Sequence, residues 1–251
     1  MLIDLGKRQP DRHGMKPFGY YDLLEAFPER GCALCRLLAR DKQQYFDLLI
    51  FEYTMDIQLN DMFRAARGLC SAHGAEFMAI QMSATSIAKL YGGVIEETLA
   101  LLDGLIESEG HGRGGGRWRR DRAVGKAAAE ALEPNAPCPC CQSLSVREAD
   151  YAQIAAESLN EHSFRDAFAA SEGFCLPHLE RILRSADTES ARFLMTTQRR
   201  MWAQMRADLN MFVAKQDPRF GTLPTDEEAR SWRRALESIS GMAGIFGLRG
   251  R

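Results

Sequence analysis

Cysteine and histidine are the residues whose spacing could carry chemistry in this chain. Cys32 and Cys35 form a C-x-x-C, and Cys70 and His73 form a C-x-x-H. Cys138 and Cys141 form a second C-x-x-C with Cys140 inside it, and Cys175 and His178 form a second C-x-x-H. Thiolate and imidazole are the donors of tetrahedral structural zinc sites, and a pair spaced by two residues puts both donors on one tight turn. Two such pairs supply the four ligands of a closed site. The expectation is one three-Cys-one-His site per half: Cys32, Cys35, Cys70 and His73 in the first, and Cys138, Cys141, Cys175 and His178 in the second. Two zinc ions per chain follow. Three thiolates and one divalent ion sum to −1 per site, so the formal charge of −2 becomes about −4 when both are filled.

The same donors admit an iron–sulfur cluster, which also uses grouped cysteines and in some cases histidine. Metal-free thiol redox chemistry is the third reading, weakened by the lack of a βαβ setting around either C-x-x-C. Cys140 is the odd thiol, read as an alternative ligand or as a redox-sensing thiol beside the second site. The acidic residues Glu52, Glu157, Asp61 and Asp166 are candidates to accept the second N–H of a metal-bound histidine. His13, His111 and His162 have no partner at ligand spacing.

The whole constellation recurs. Cys32 to Cys138 and Cys35 to Cys141 are both 106 residues apart, and Cys70 to Cys175 and His73 to His178 are both 105. Pro28 and Pro134, Gly68 and Gly173, and Phe63 and Phe168 keep the same offsets. Matches of this kind mark an internal duplication.

The elements that must position these pairs read as helices. Valine is scarce, alanine and leucine abound, and no stretch alternates apolar and polar residues in strand fashion. Each half follows one plan. A short lead-in helix covers Tyr20–Phe27 or Ala123–Leu132, and a proline loop then delivers the C-x-x-C. A helix runs on to Gly68 or Gly173, which provides a left-handed stop. The next helix starts near Ser71 or Pro177, so Cys70 and Cys175 fall near N-caps, where free N–H groups favour a thiolate. Long amphipathic helices follow over 86–108 and 188–215. In the second of these, Phe193, Leu194, Met201, Met205, Leu209 and Phe212 form a core stripe. Thr225 and Glu228 fit a capping box. After it, Trp232, Leu236 and Ile239 line one helix face, and Gly241 to Arg251 is Gly-rich.

The organisation expected is all-α: residues 17–109 as a first metal-binding repeat, 110–122 as a Gly/Arg-rich linker, 123–216 as a second repeat, and 217–251 as an amphipathic helix and tail. The stretches Gly31–Cys35, Gly68–His73, Pro137–Cys141 and Gly173–His178 resemble an uncharacterised prokaryotic family with two C-x-x-C…C-x-x-H repeats. The resemblance spans roughly 17–215 and implies the metal ligands without an activity.

At 251 residues and 45% hydrophobic composition the chain can bury a core without disulfides. The small net charge disfavours a general nucleic-acid or acidic-membrane binder, leaving only weak contact through the Arg113–Arg122 linker. No apolar run reaches bilayer length and no signal-peptide core is present, which points to the cytoplasm. Four protein ligands leave no open metal position, and no phosphate loop or nucleophile–base pair stands elsewhere, so enzyme activity is the less favoured reading. The function expected is a metal-binding scaffold for protein interaction or regulation, with another protein, or a second copy of the chain, as partner. An iron–sulfur electron-transfer or redox-sensing protein is the alternative.

Overall fold

A computed structural model describes residues 16–51, 57–110 and 117–246. Among these residues there are eleven α-helices, one short 3-10 turn and no strand. The helices are α1 (Phe18–Ala26), α2 (Ala33–Phe51), α3 (Ile57–Ala65), α4 (Ser71–Met78), α5 (Ala84–Gly110) and α6 (Arg117–Leu132). They continue with α7 (Pro139–Ser158), α8 (His162–Ala170), α9 (Leu176–Leu183), α10 (Thr188–Ala214) and α11 (Asp226–Ser240). The element order follows the repeat: α3 and α8, and α4 and α9, begin and end 105 residues apart, while α2 and α7 begin 106 apart.

Local signals fix these bounds. Asp187 caps α10 by accepting from the backbone of Glu189 and Ser190, at 2.9 and 3.0 Å. Thr225 and Glu228 close the expected capping box at the start of α11. Gly68 and Gly173 have φ of +91° and +84°, the left-handed stop that their positions call for. The expected lead-in helix Ala123–Leu132 begins earlier, at Arg117, and α5 runs through Gly110. Of the expected linker, residues 111–116 lie outside the described residues, and Arg117–Arg122 form the first turns of α6.

The chain divides into two compact units, and they do not follow the two repeats. Of the described residues, one unit combines 16–41 with 145–246, and the other lies within Lys42–Leu144. The boundaries fall inside α2 and inside α7.

The first unit has an aromatic core. Phe27 lies within 6 Å of Phe164, Phe168 and Phe174 by ring centroid, and Phe168 stacks on Phe174 at 4.8 Å. α1 packs on α8, and α11 packs on α10 and α9. Leu194 and Met205 are buried along α10, with Phe193, Met201, Leu209 and Phe212 half-buried, as its stripe predicts. α11 differs. Its inward positions are Ser231, Arg234, Ala235 and Ser238, held by polar contacts such as Trp202 Nε1 to Ser238 Oγ at 2.6 Å. Trp232, Leu236 and Ile239 face out.

The second unit packs α5 against α3 and α6. Phe46 stacks on Phe77 at 5.4 Å, and Phe63 meets Tyr91 edge-on at 5.3 Å.

Candidate metal centres

Four helix N-termini carry the eight predicted residues, each by the same device. Arg36 N–H donates to the Cys32 carbonyl, Gly74 N–H to Cys70, Gln142 N–H to Cys138 and Leu179 N–H to Cys175. The first residue of every pair is therefore an N-cap, and the second is the third helical residue. Those two side chains lie side by side, because the N-cap side chain is the one that normally reaches the third N–H. Neither Cys70 nor Cys175 makes such a capping bond. Their sulfurs turn toward the other donors instead, and what the helix ends contribute is their positive dipole.

The loops before each pair are pinned. Ahead of Cys32, Gly31 N–H donates to Glu172 at 2.9 Å. Ahead of Cys138, Asn135 N–H donates to the Ala65 carbonyl at 2.8 Å. Ahead of Cys70 and Cys175, the N–H groups of Leu69 and Phe174 donate to Tyr91 Oη and Gln198 Oε1, at 3.2 and 2.9 Å. A Cβ on Gly68 would come within 2.7 Å of the Tyr91 ring, and one on Gly173 within 2.6 Å of Gln198 Oε1. Glycine there permits both the turn and the close approach of these side chains.

The pairs converge into two sets, each able to hold a metal ion with one donor atom per residue and all donors within 4.8 Å. The partition differs from the expected one. Cys32 and Cys35 meet Cys175 and His178, while Cys138 and Cys141 meet Cys70 and His73. Each set thus joins the C-x-x-C of one repeat to the C-x-x-H of the other. The reason lies in helix length. The 19 residues of α2 carry the chain about 28 Å from its C-x-x-C, whereas the nine of α3 cover about 13 Å. The C-x-x-H of the same repeat consequently meets the helix partway along. His73 packs against Phe46 of α2 at 6.3 Å, and His178 Nε2 lies 3.6 Å from Glu148 Oε1 of α7.

Four of the six edges in each set are close to those around one tetrahedral ion, and all donors lie within 4.8 Å. Bonds of about 2.3 Å to sulfur and about 2.0–2.1 Å to nitrogen give tetrahedral edges of about 3.8 Å between sulfurs and about 3.5 Å between sulfur and nitrogen. In the first set, Cys35 and Cys175 Sγ are 3.6 Å apart, and His178 Nδ1 lies 3.3, 3.5 and 3.2 Å from Cys32, Cys35 and Cys175. In the second, Cys70 and Cys141 Sγ are 3.7 Å apart, and His73 Nδ1 lies 3.3, 3.6 and 3.3 Å from Cys70, Cys138 and Cys141.

Surroundings separate the two. All four residues of the first set are buried, with Cys175 and His178 at 0% exposure. Met242 N–H lies 3.5 Å from Cys35 Sγ, and the Phe246 ring sits 4.9 Å from the His178 ring. Glu148 Oε2 is paired with Arg181 at 2.9 Å. In the second set only His73 is buried, and the three cysteines are half-exposed. Near its histidine, Lys42 and Glu76 form an ion pair at 2.5 Å. By the repeat offsets Lys42 aligns with Glu148 and Glu76 with Arg181, so the pair is kept with its charges exchanged.

Electrostatics within the buried set favours a cation. Burial opposes ionisation of Cys32, yet hydrogen bonds with Cys175, Cys35 and His178 bring its thiol well below the ordinary value. Cys175 is pushed up by the thiols of Cys32 and Cys35. Cys35 is pulled down by Cys175 but pushed up overall by Cys32 and burial. The three thiols thus oppose one another's ionisation, and a divalent cation among them would let all three ionise together. In the other set, burial and then Cys138 push Cys141 up. Burial holds the His73 imidazole below its ordinary value, the neutral form a ligand needs.

Cys140 belongs to neither set. Two positions on from Cys138, it turns into the core at 0% exposure, and burial drives its thiol up, away from the thiolate that redox sensing requires. Asp61, Glu157, Asp166 and His162 are exposed, and Glu52, His13 and His111 lie outside the described residues. The carboxylate beside a histidine is Glu148, seven residues after Cys141. No spacing in the sequence marks it. Spacing held no signal for Met242 and Phe246.

The chain belongs to a family of unknown function, DUF6062, whose pattern covers residues 21–244. Comparison with curated proteins gives no match, and comparison with solved structures gives none.

Proposed function

We propose that the chain is a metal-binding scaffold holding two zinc ions, one in each crossed three-Cys-one-His set, and serving protein interaction or regulation. The ligands are Cys32, Cys35, Cys175 and His178 for one ion, and Cys70, His73, Cys138 and Cys141 for the other. The observation that carries the reading is the donor spacing, which fits the edges of a tetrahedron around a single ion. A polynuclear iron–sulfur cluster spreads its ligands over several irons and needs sulfurs set wider apart than one ion's tetrahedral edge. Four protein donors fill the coordination of each zinc, so its work is to bind helix ends together rather than to activate a substrate. Reduced thiols suit a cytoplasmic protein. No helix of the described residues is long and apolar enough to cross a membrane. The outward Trp232, Leu236 and Ile239 of α11 offer apolar area to a partner protein.

Double variants test both the ions and the crossing. Elemental analysis and native mass spectrometry of anaerobically purified protein are expected to give two zinc ions per chain. Cys32→Ser/Cys175→Ser keeps one ion, and Cys32→Ser/Cys70→Ser keeps none. The reverse pattern would restore the in-repeat partition. Iron with sulfide and a visible band, or no metal at all, would overturn the scaffold reading.

A further inference from the structure

The two sets have the same donors and different access. Exchange of a zinc–thiolate ion proceeds when an incoming donor reaches the metal and displaces sulfur, each released thiolate staying charged or taking a proton from solvent. Both routes need solvent at the sulfurs. In the set Cys70, His73, Cys138 and Cys141, the three sulfur ligands are half-exposed. In the other, every donor is buried, one sulfur faces the Met242 N–H, and the histidine is covered by Phe246.

The histidines differ as well. His178 Nε2, the nitrogen left to carry the proton, faces Glu148 Oε1 at 3.6 Å, and Glu148 is itself fixed by Arg181. At that distance no hydrogen bond is formed, but the carboxylate's charge polarises the imidazole and makes it a better donor. At His73 the corresponding position holds Lys42, an ammonium where the other set has a carboxylate. Lys42 is itself paired with Glu76.

We propose that the Cys70, His73, Cys138, Cys141 set is an exchange site for a thiophilic divalent cation of the zinc class, while the Cys32, Cys35, Cys175, His178 set retains its ion. Phe246, Met242 and Glu148 are the residues that make the difference. Glu148 is a positioning residue acting through His178. The inference rests on the metal-scaffold reading.

The test uses the full chain loaded with two zinc ions, challenged with excess 4-(2-pyridylazo)resorcinol under reducing, anaerobic conditions. Two phases of equal amplitude are expected, differing at least tenfold in rate. Cys138→Ser removes the fast phase and leaves the slow one. Phe246→Ala and Glu148→Gln accelerate the slow phase, the latter by about 10–100-fold, the range seen when such outer partners are removed, and leave the fast rate unchanged. Glu148→Asp restores part of the retention. Because a cysteine variant can misfold, pulsed N-ethylmaleimide on the unaltered loaded protein gives a second reading. Cys70, Cys138 and Cys141 are expected to react before Cys32, Cys35 and Cys175. One common phase for both ions, or the opposite order of labelling, would overturn the proposal while leaving the scaffold intact. A chain that takes up no zinc would instead overturn the scaffold.

Discussion

The Cys32, Cys35, Cys175, His178 set and the Cys70, His73, Cys138, Cys141 set are built from the same parts: two helix N-caps, two third positions, three sulfurs and one Nδ1. What separates them lies around the donors. One has an N–H on sulfur, an aromatic ring on its histidine and a carboxylate at the far nitrogen. The other has half-exposed sulfurs and a lysine–glutamate pair. The lesson is that two sets with the same donors can have different surroundings, set by residues that no spacing signature marks.

The contrast between the sets should show most strongly when a ligand is lost. Cys175→Ser should remove a buried ligand and lower the melting temperature by about 10 °C, as expected for a loss of several kcal/mol in a chain of this size. Cys138→Ser should cost less than half as much. Equal losses would mean the burial difference has no energetic weight.

Phe168→Ala should destabilise by about 3–5 kcal/mol, because Phe168 is fully buried and stacks on Phe174, the residue just before Cys175. The same variant should speed release of the retained ion and leave the exchanging one alone. Chemical denaturation together with the chelator assay reads both.

Exchanging the charges beside the histidines probes the contrast more finely. Lys42→Glu/Glu76→Arg installs at the exposed set the pair found at the buried one, and should slow its metal release up to about tenfold. Thr225→Ala removes the cap of α11, whose end leads into Gly241–Phe246, and should cost about 1 kcal/mol while modestly speeding the slow phase. The smallest change concerns pH in metal-free protein. Burial depresses the His73 pKa below its ordinary 6.5, so the stability it contributes is complete above 6.5 and is lost as pH falls from there through the folded value. Thermal melts of metal-free protein against pH should show this loss, and His73→Asn should flatten it.

Much of this was legible in the sequence, and the limits have physical causes. All eight candidate ligands, the glycine stops at 68 and 173, and the capping box at Thr225 are short-range features, written within four residues. The helix periods likewise mark α10 and α11. Which C-x-x-C meets which C-x-x-H is not short-range. It depends on how far α2 and α7 carry the chain before it returns. The outward turn of Trp232, Leu236 and Ile239 shows a related limit: periodicity gives a face, and the polar contacts of Arg234 and Ser238 decide which face goes in. Cys140 looks reactive from its neighbours in sequence, whereas its position in the core pushes its thiol pKa up.

The crossed pairing has a consequence in time. Cys70 and Cys141 close a separation of 71 residues, and this lies wholly inside the 140-residue separation between Cys35 and Cys175. Doubling a loop adds only about 0.6 kcal/mol, so entropy scarcely ranks the two closures. Order of synthesis ranks them instead. At about 5–20 residues per second, roughly two to seven seconds pass between the appearance of Cys141 and that of Cys175. During that interval the inner knot can tie while the outer one waits, with Cys32 and Cys35 held open near the start of the chain. The outer set therefore closes only once synthesis has passed residue 178, and a chain stopped short of it leaves Cys32 and Cys35 without Cys175 and His178.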